Sequence, residues 1–109
     1  KLKYGILNFK KLSEYDDNFT KFVSMLPDYY NRLKEEGYES LSNELLEFAV
    51  EQGADSKNVY RLLANAYISM SKADRLAELI EKAKQLNSLS RDGIVSMLES
   101  LQADAASNR

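Results

Sequence analysis

The side chains of this 109-residue chain that could carry chemistry are carboxylates, phenols and amides, because histidine and cysteine are both absent. That absence removes imidazole bases, thiol nucleophiles, disulfides and Cys/His zinc sites together. Carboxylate-only acid–base work is what remains, and Asp16-Asp17 and Glu35-Glu36 are adjacent pairs that invite it. On a helix, however, neighbouring residues project about 100° apart and do not converge on one substrate atom. No glycine-rich phosphate loop or metal-ligand spacing occurs either. The sequence therefore predicts no catalytic residue, no cofactor and no metal site. Hydrogen bonding is left. Asn31 and Asn65 stand 34 positions apart, and an asparagine can donate to and accept from one peptide unit at once. Of the 7 tyrosines, Tyr60 and Tyr67 fall on helix-packing positions and are expected in the core, their hydroxyls reaching its rim; Tyr29 or Tyr30 is the better surface candidate, with the core still the favoured reading for each one individually.

Such groups need elements to hold them, and composition points to helices. Four glycines and one proline are too few for the tight turns of an all-β fold. A net charge of −2 lacks the clustered Lys and Arg of a nucleic-acid footprint, so no nucleic-acid partner is expected. No run approaches the ~18 apolar residues of a membrane span, so direct membrane insertion is not expected. A cysteine-free chain fits either redox compartment; with no secretory signal visible, the cytoplasm is slightly favoured.

The chain then repeats itself. "EEGYESLSNELLEFAVEQG" and "SMSKADRLAELIEKAKQLN" align so that Gly37 meets Ser71, Leu45 meets Leu79, Leu46 meets Ile80 and Ala49 meets Ala83, each 34 positions on. The offset continues upstream, with Leu26 and Tyr60, Tyr29 and Leu63, Leu33 and Tyr67, and downstream, with Tyr60 and Ile94, Leu63 and Met97, Ala64 and Leu98. A fixed period of this length is the signature of stacked helical hairpins. Each half-unit has one apolar helical face: Tyr60, Leu63, Ala64, Tyr67 and Ile68 in the first, Leu76, Leu79, Ile80, Ala83 and Leu86 in the second. Between them Ser71 is read as the cap of the second helix, with Asp74 in its first turn. Gly37 fills the same bend one unit earlier, and Gly53 can supply the left-handed residue ending the next helix. Glu78 and Lys82 are expected to pair on the solvent side.

The unit from Lys57 to Ser90 resembles a tetratricopeptide repeat. The family's large residue near the start matches Tyr60, its Leu-small pair Leu63-Ala64, the aromatic one turn later Tyr67, and the second-helix hydrophobe and Ala match Ile80 and Ala83. The unit from Val23 to Ser56 is a poorer copy. Leu26, Leu33, Gly37, Leu46 and Ala49 fit, but Tyr30 stands where a small residue belongs and should push the helices apart or turn outward. Leu76 replaces a usual Ala, and the customary Pro is absent at Ala54 and Ser88. Pentatricopeptide repeats look similar, yet as RNA binders they would be more basic. The resemblance implies an all-α, right-handed α–α superhelix of about two tetratricopeptide-like hairpins with a C-terminal capping helix.

It also implies a site. First helices of such repeats line a concave groove. Residue by residue, the groove positions are Asn31 and Lys34 in the first unit, Asn58, Arg61, Asn65 and Ser69 in the second, and Asp92 and Glu99 on the end helix. The expected function is a protein–protein interaction module holding a peptide or partner protein, with Asn31 and Asn65 clamping an extended backbone. The plain alternative is that both are solvated residues on exposed faces. Arg61 with Asn65 resembles part of a carboxylate clamp, but Asp92, Ser96 and Glu99 stand where its further basic residues belong, so capture of a C-terminal carboxylate is not expected. Arg61 is left to meet an acidic ligand side chain or a neighbouring carboxylate.

The termini complete the division. Residues 91–102 read as the capping helix, with Ile94, Met97, Leu98 and Leu101 on one face, and 103–109 as a frayed tail. Residues 1–22 read as the end of a preceding unit, with Leu2, Ile6, Phe9 and Leu12 at helical spacing, a strand or extended tether being the alternative. Pro27 is tolerated only in a first helical turn, so the next helix is expected to start near Ser24 or Met25, not to run through from Asp17. An opening second helix without its partner implies either a section of a longer array or pairing with another copy. The rival function is thus a structural domain that self-associates through exposed solenoid ends.

Overall fold

The computed structural model describes residues 16–107, with side chains from Phe19 onward. Among them every regular element is an α-helix and no strand occurs. The helices are α1 (Asp16–Glu35), α2 (Glu39–Glu51), α3 (Lys57–Ser69), α4 (Ala73–Lys84) and α5 (Arg91–Ser107). They fall into two compact units, one up to Ala54 and one from Asp55. The helix expected over Leu2–Leu12 lies outside the described residues.

The first unit packs α1 against α2. Phe22, Leu26, Tyr30 and Leu33 recur at i, i+4, i+8, i+11 and are all buried, as are Leu45, Leu46, Ala49 and Val50 of α2. The Phe22 and Phe48 rings meet edge-on at 6.2 Å, a favourable quadrupole arrangement. One expectation fails here. α1 does not begin at Ser24 but runs through from Asp16, leaving Pro27 in its interior. Proline supplies no N–H to the carbonyl four residues back, here Val23, so the helix continues at the expense of one backbone bond. Burial of Phe22, one turn before the expected start, gives the extension an apolar anchor. Of the alternatives open to Tyr30, the ring does not turn outward but lies in the core, the reading favoured for each tyrosine; Ser42 on α2 is buried too, its hydroxyl donating to the Glu39 carbonyl at 2.7 Å.

The second unit packs α3, α4 and α5 mutually. Its core is Val59, Tyr60, Leu63, Ala64, Ala66 and Tyr67 of α3, Leu76, Leu79, Ile80 and Ala83 of α4, and Ile94 and Leu98 of α5. α5 continues to Ser107, so residues 103–107, expected to fray, are helical. Of α5's apolar face only Ile94 and Leu98 are fully buried; Met97 and Leu101 are half-buried.

Three turns end helices in the same way. At Gly37 (φ 91), Gly53 (φ 97) and Ser71 (φ 58) the backbone is left-handed. The next N–H then reaches back five residues: Tyr38 to Leu33 O at 2.8 Å, Ala54 to Ala49 O at 3.0 Å, Lys72 to Tyr67 O at 2.8 Å. This closes each helix with the paired bonds of a Schellman turn. Ser71 therefore does not cap α4. It is the left-handed terminus of α3, and the residue before α4 is Lys72, which makes no side-chain cap bond. Leu33 and Tyr67, equivalent in the 34-residue register, are both buried and both accept the closing bond. The expected Glu78–Lys82 pair is not made; on that helix Lys84 pairs with Glu81 at 3.1 Å instead.

Candidate functional site

α3 commits its apolar positions to the core, and this fixes what it leaves outside. Its N-terminus is held by Ser56, whose hydroxyl accepts from the Val59 N–H at 3.3 Å and satisfies one of the orphan donors of the first turn. With Val59, Tyr60, Leu63, Ala64 and Tyr67 buried, the expected residues Asn58, Arg61, Asn65 and Ser69 are all exposed. At about 100° per residue they share an arc of about 80° on one side of the helix. Arg61 Nη1 donates to Asn58 Oδ1 at 2.7 Å, so the guanidinium is oriented by a neutral acceptor. Lys57, one turn before Arg61 and exposed, borders the same arc. It was not among the residues expected from the sequence, although its i, i+4 relation to Arg61 is the signal that finds it.

In the first unit Asn31 and Lys34 are exposed, three residues apart and hence neighbours on α1. Lys34 Nζ lies 5.8 Å from the centroid of the Tyr30 ring, at the outer limit of a cation–π contact. The Tyr30 phenol is pushed above its ordinary pKa, first by burial and then by the Glu39 carboxylate, and so stays neutral. Tyr29, the other tyrosine considered for the surface, is half-buried.

Glu99 keeps different company. With Lys84, Arg91, Asp92, Val95 and Ser96 it lines an open depression of about 220 Å³ that no α3 residue lines. Its charges are largely internal: Arg91 Nε donates to Asp92 Oδ1 at 3.2 Å, and Lys84 is held by Glu81. The structure thus brings together the four α3 candidates, brings Asp92 and Glu99 together beside Lys84, and keeps Asn31 with Lys34.

Two polar features of the second unit escaped the sequence. Ser88 Oγ donates to Asp55 Oδ2 at 2.6 Å and accepts from the Ser90 N–H at 3.1 Å, tying the loop before α5 to the loop before α3. The Tyr60 hydroxyl does not reach the rim; it is buried without a hydrogen-bond partner. Burial, with the Asp55 carboxylate adding to it, pushes that phenol up to about 12. No group of three or more potential metal-ligating side chains occurs among the described residues, and no helix among them is long and apolar enough to cross a membrane. Comparison with protein-family models, with curated proteins and with solved structures gives no match.

Proposed function

We propose that this chain is a protein–protein interaction module made of tetratricopeptide-like hairpins, stacked as a right-handed superhelix, that holds a peptide or partner protein on the exposed faces of α1 and α3. The observation that supports this most is the agreement of equivalent positions. Gly37 and Ser71 share a left-handed turn with matching hydrogen bonds, and Leu26 with Tyr60, Leu33 with Tyr67, Leu46 with Ile80 and Ala49 with Ala83 are buried in pairs. A helical pair that repeats its packing also repeats its solvent face, and there Asn31 and Asn65 recur as exposed amides. An exposed amide suits an extended backbone, since it can bond a peptide N–H and C=O together.

The test is selection of binding peptides from a displayed random library on the full chain, followed by titration into the Asn31→Ala/Asn65→Ala double variant. Affinity is expected to fall about tenfold or more, the loss of two to four modest hydrogen bonds. Unchanged affinity would remove the amide clamp. Mass measured across dilution tests the rival reading: a dimer forming at micromolar concentration, with no selectable peptide, would favour self-association.

A further inference from the structure

We infer that Asn87 is a site of spontaneous covalent modification, deamidating through a cyclic imide formed with the main-chain nitrogen of Ser88, and that the change loosens the bond between Ser88 and Asp55. The reaction favours an exposed asparagine outside regular structure, a small following residue, and a following N–H with no hydrogen bond to give up. Asn87 is exposed and lies between α4 and α5, and the next residue is serine. The Ser88 N–H donates to no acceptor among the described residues. No other asparagine of the chain combines these features. Asn31, Asn43, Asn58 and Asn65 lie within helices. There the N–H of Arg32, Glu44 and Ala66 belongs to the helical ladder, and that of Val59 goes to the Ser56 hydroxyl. Asn8, Asn18 and Asn108 precede the bulky Phe9, Phe19 and Arg109.

Hydroxide removes the Ser88 amide proton, and the nitrogen forms a bond to Asn87 Cγ. The Cγ–Nδ2 bond then breaks, and ammonia leaves with a proton taken from water. Water opens the imide at either carbonyl. Attack at Cγ breaks its bond to nitrogen and gives aspartate. Attack at the main-chain carbonyl breaks the original peptide bond and gives isoaspartate, in which the chain runs through Cγ. Nothing is oxidised or reduced: one amide and one water become a carboxylate and ammonium. The consequence falls on Ser88. Its hydroxyl donates to Asp55 Oδ2 at 2.6 Å and accepts from the Ser90 N–H at 3.1 Å, so one side chain ties the loops before α3 and α5. Isoaspartate inserts a methylene into the main chain directly before that residue. Both products also place a negative charge beside a hydroxyl already bonded to a carboxylate. The tie weakens as the chain ages.

The folded full chain is incubated at mildly alkaline pH and digested with trypsin, and peptide 85–91 is followed by mass spectrometry, with fragmentation assigning the position. Asn87 is expected to gain the mass of an amide-to-acid exchange, as separable aspartate and isoaspartate products, at a rate that rises with pH. It should convert about tenfold or more faster than Asn31, Asn43, Asn58 and Asn65, where local unfolding must first free the next N–H. Asn87→Gln should abolish the gain at this position and leave the stability of fresh protein unchanged. Fully converted protein should melt about 4–8 °C below fresh protein, as Ser88→Ala does, while aged Asn87→Gln keeps its midpoint. Aspartate formed without isoaspartate would overturn the imide route. A folded chain that stays unconverted while the free synthetic peptide 85–91 reacts would overturn the site, because the loop then withholds the Ser88 nitrogen. Fully converted protein that melts with fresh protein would overturn the loosening of the tie.

Discussion

In the hairpin of α1 and α2 a large residue, Tyr30, sits on the first helix and a small one, Ser42, on the second. In the hairpin of α3 and α4 the equivalent residues, 34 positions on, are the small Ala64 and the large Leu76. All four are buried. The Ser42 hydroxyl is satisfied within its own helix, by the Glu39 carbonyl. The two units thus bury a large and a small side chain at equivalent positions, with the sizes exchanged between the helices. A core tolerates such exchange when total volume is kept, because close packing constrains the sum across a contact more tightly than either residue.

That comparison can be broken most directly at Tyr30. Tyr30→Ala should destabilise by about 3–5 kcal/mol, the usual loss for a buried aromatic. Ser42→Leu alone should overpack and cost about 1–3 kcal/mol. Combined, they reproduce the arrangement of Ala64 and Leu76 and should be less destabilising than the two losses added. Urea denaturation of the four proteins gives the coupling directly. Strict additivity would mean that the exchange of sizes is coincidental.

A second contrast separates Leu26 from its equivalent Tyr60: both are buried, but only Tyr60 brings a hydroxyl, and that hydroxyl has no partner. The folded chain keeps this phenol neutral to about pH 12, against 10.0 for an ordinary tyrosine. Stability is therefore intact below pH 10 and is lost as pH rises toward 12, by about 2 kcal/mol from this residue. Tyr30 adds to the alkaline loss in the same direction. Tyr60→Phe should flatten the loss and, by removing a buried orphan group, gain up to about 1 kcal/mol at neutral pH. Thermal melts from pH 8 to 12 check both effects, and a variant as alkali-sensitive as the parent would show that the phenol is hydrated.

The smallest effects belong to the shared left-handed turn. A Cβ at Gly37 would meet nothing within 4 Å, so Gly37→Ala should cost only the conformational penalty, about 1 kcal/mol. Ser71 already bears that strain, and Ser71→Gly should gain about 0.5–1 kcal/mol. Opposite signs at positions 34 apart, read from denaturation midpoints, would sharpen the equivalence; the same sign at both would undo it.

Periodicity alone was enough to lay out the helices from α2 through α5 and the inward faces of α3 and α4; Asn58, Arg61, Asn65 and Ser69 were expected from the family resemblance, and all four are exposed. A helix facing a core separates its residues by angle, and that angle is written in the spacing. The left-handed Gly53 was legible for a similar local reason, since glycine adopts that backbone at little cost. Spacing is silent about what lies across a contact. Whether Tyr30 goes in or out depends on the room that the facing helix leaves. Whether α1 passes through Pro27 depends on what its added turns bury, set against one lost hydrogen bond. Ser71, a good helix cap by its chemistry, became a helix terminus because the closing bonds from Ser71 and Lys72 to Ile68 and Tyr67 require a left-handed residue there. Glu99 joined Lys84 rather than the α3 face because α5 packs on both α3 and α4. The chain's own pattern decides which face of each helix turns inward. Only the assembled helices decide how far each one extends and which side chains share a space, because those choices turn on volumes and bonds supplied by a neighbour.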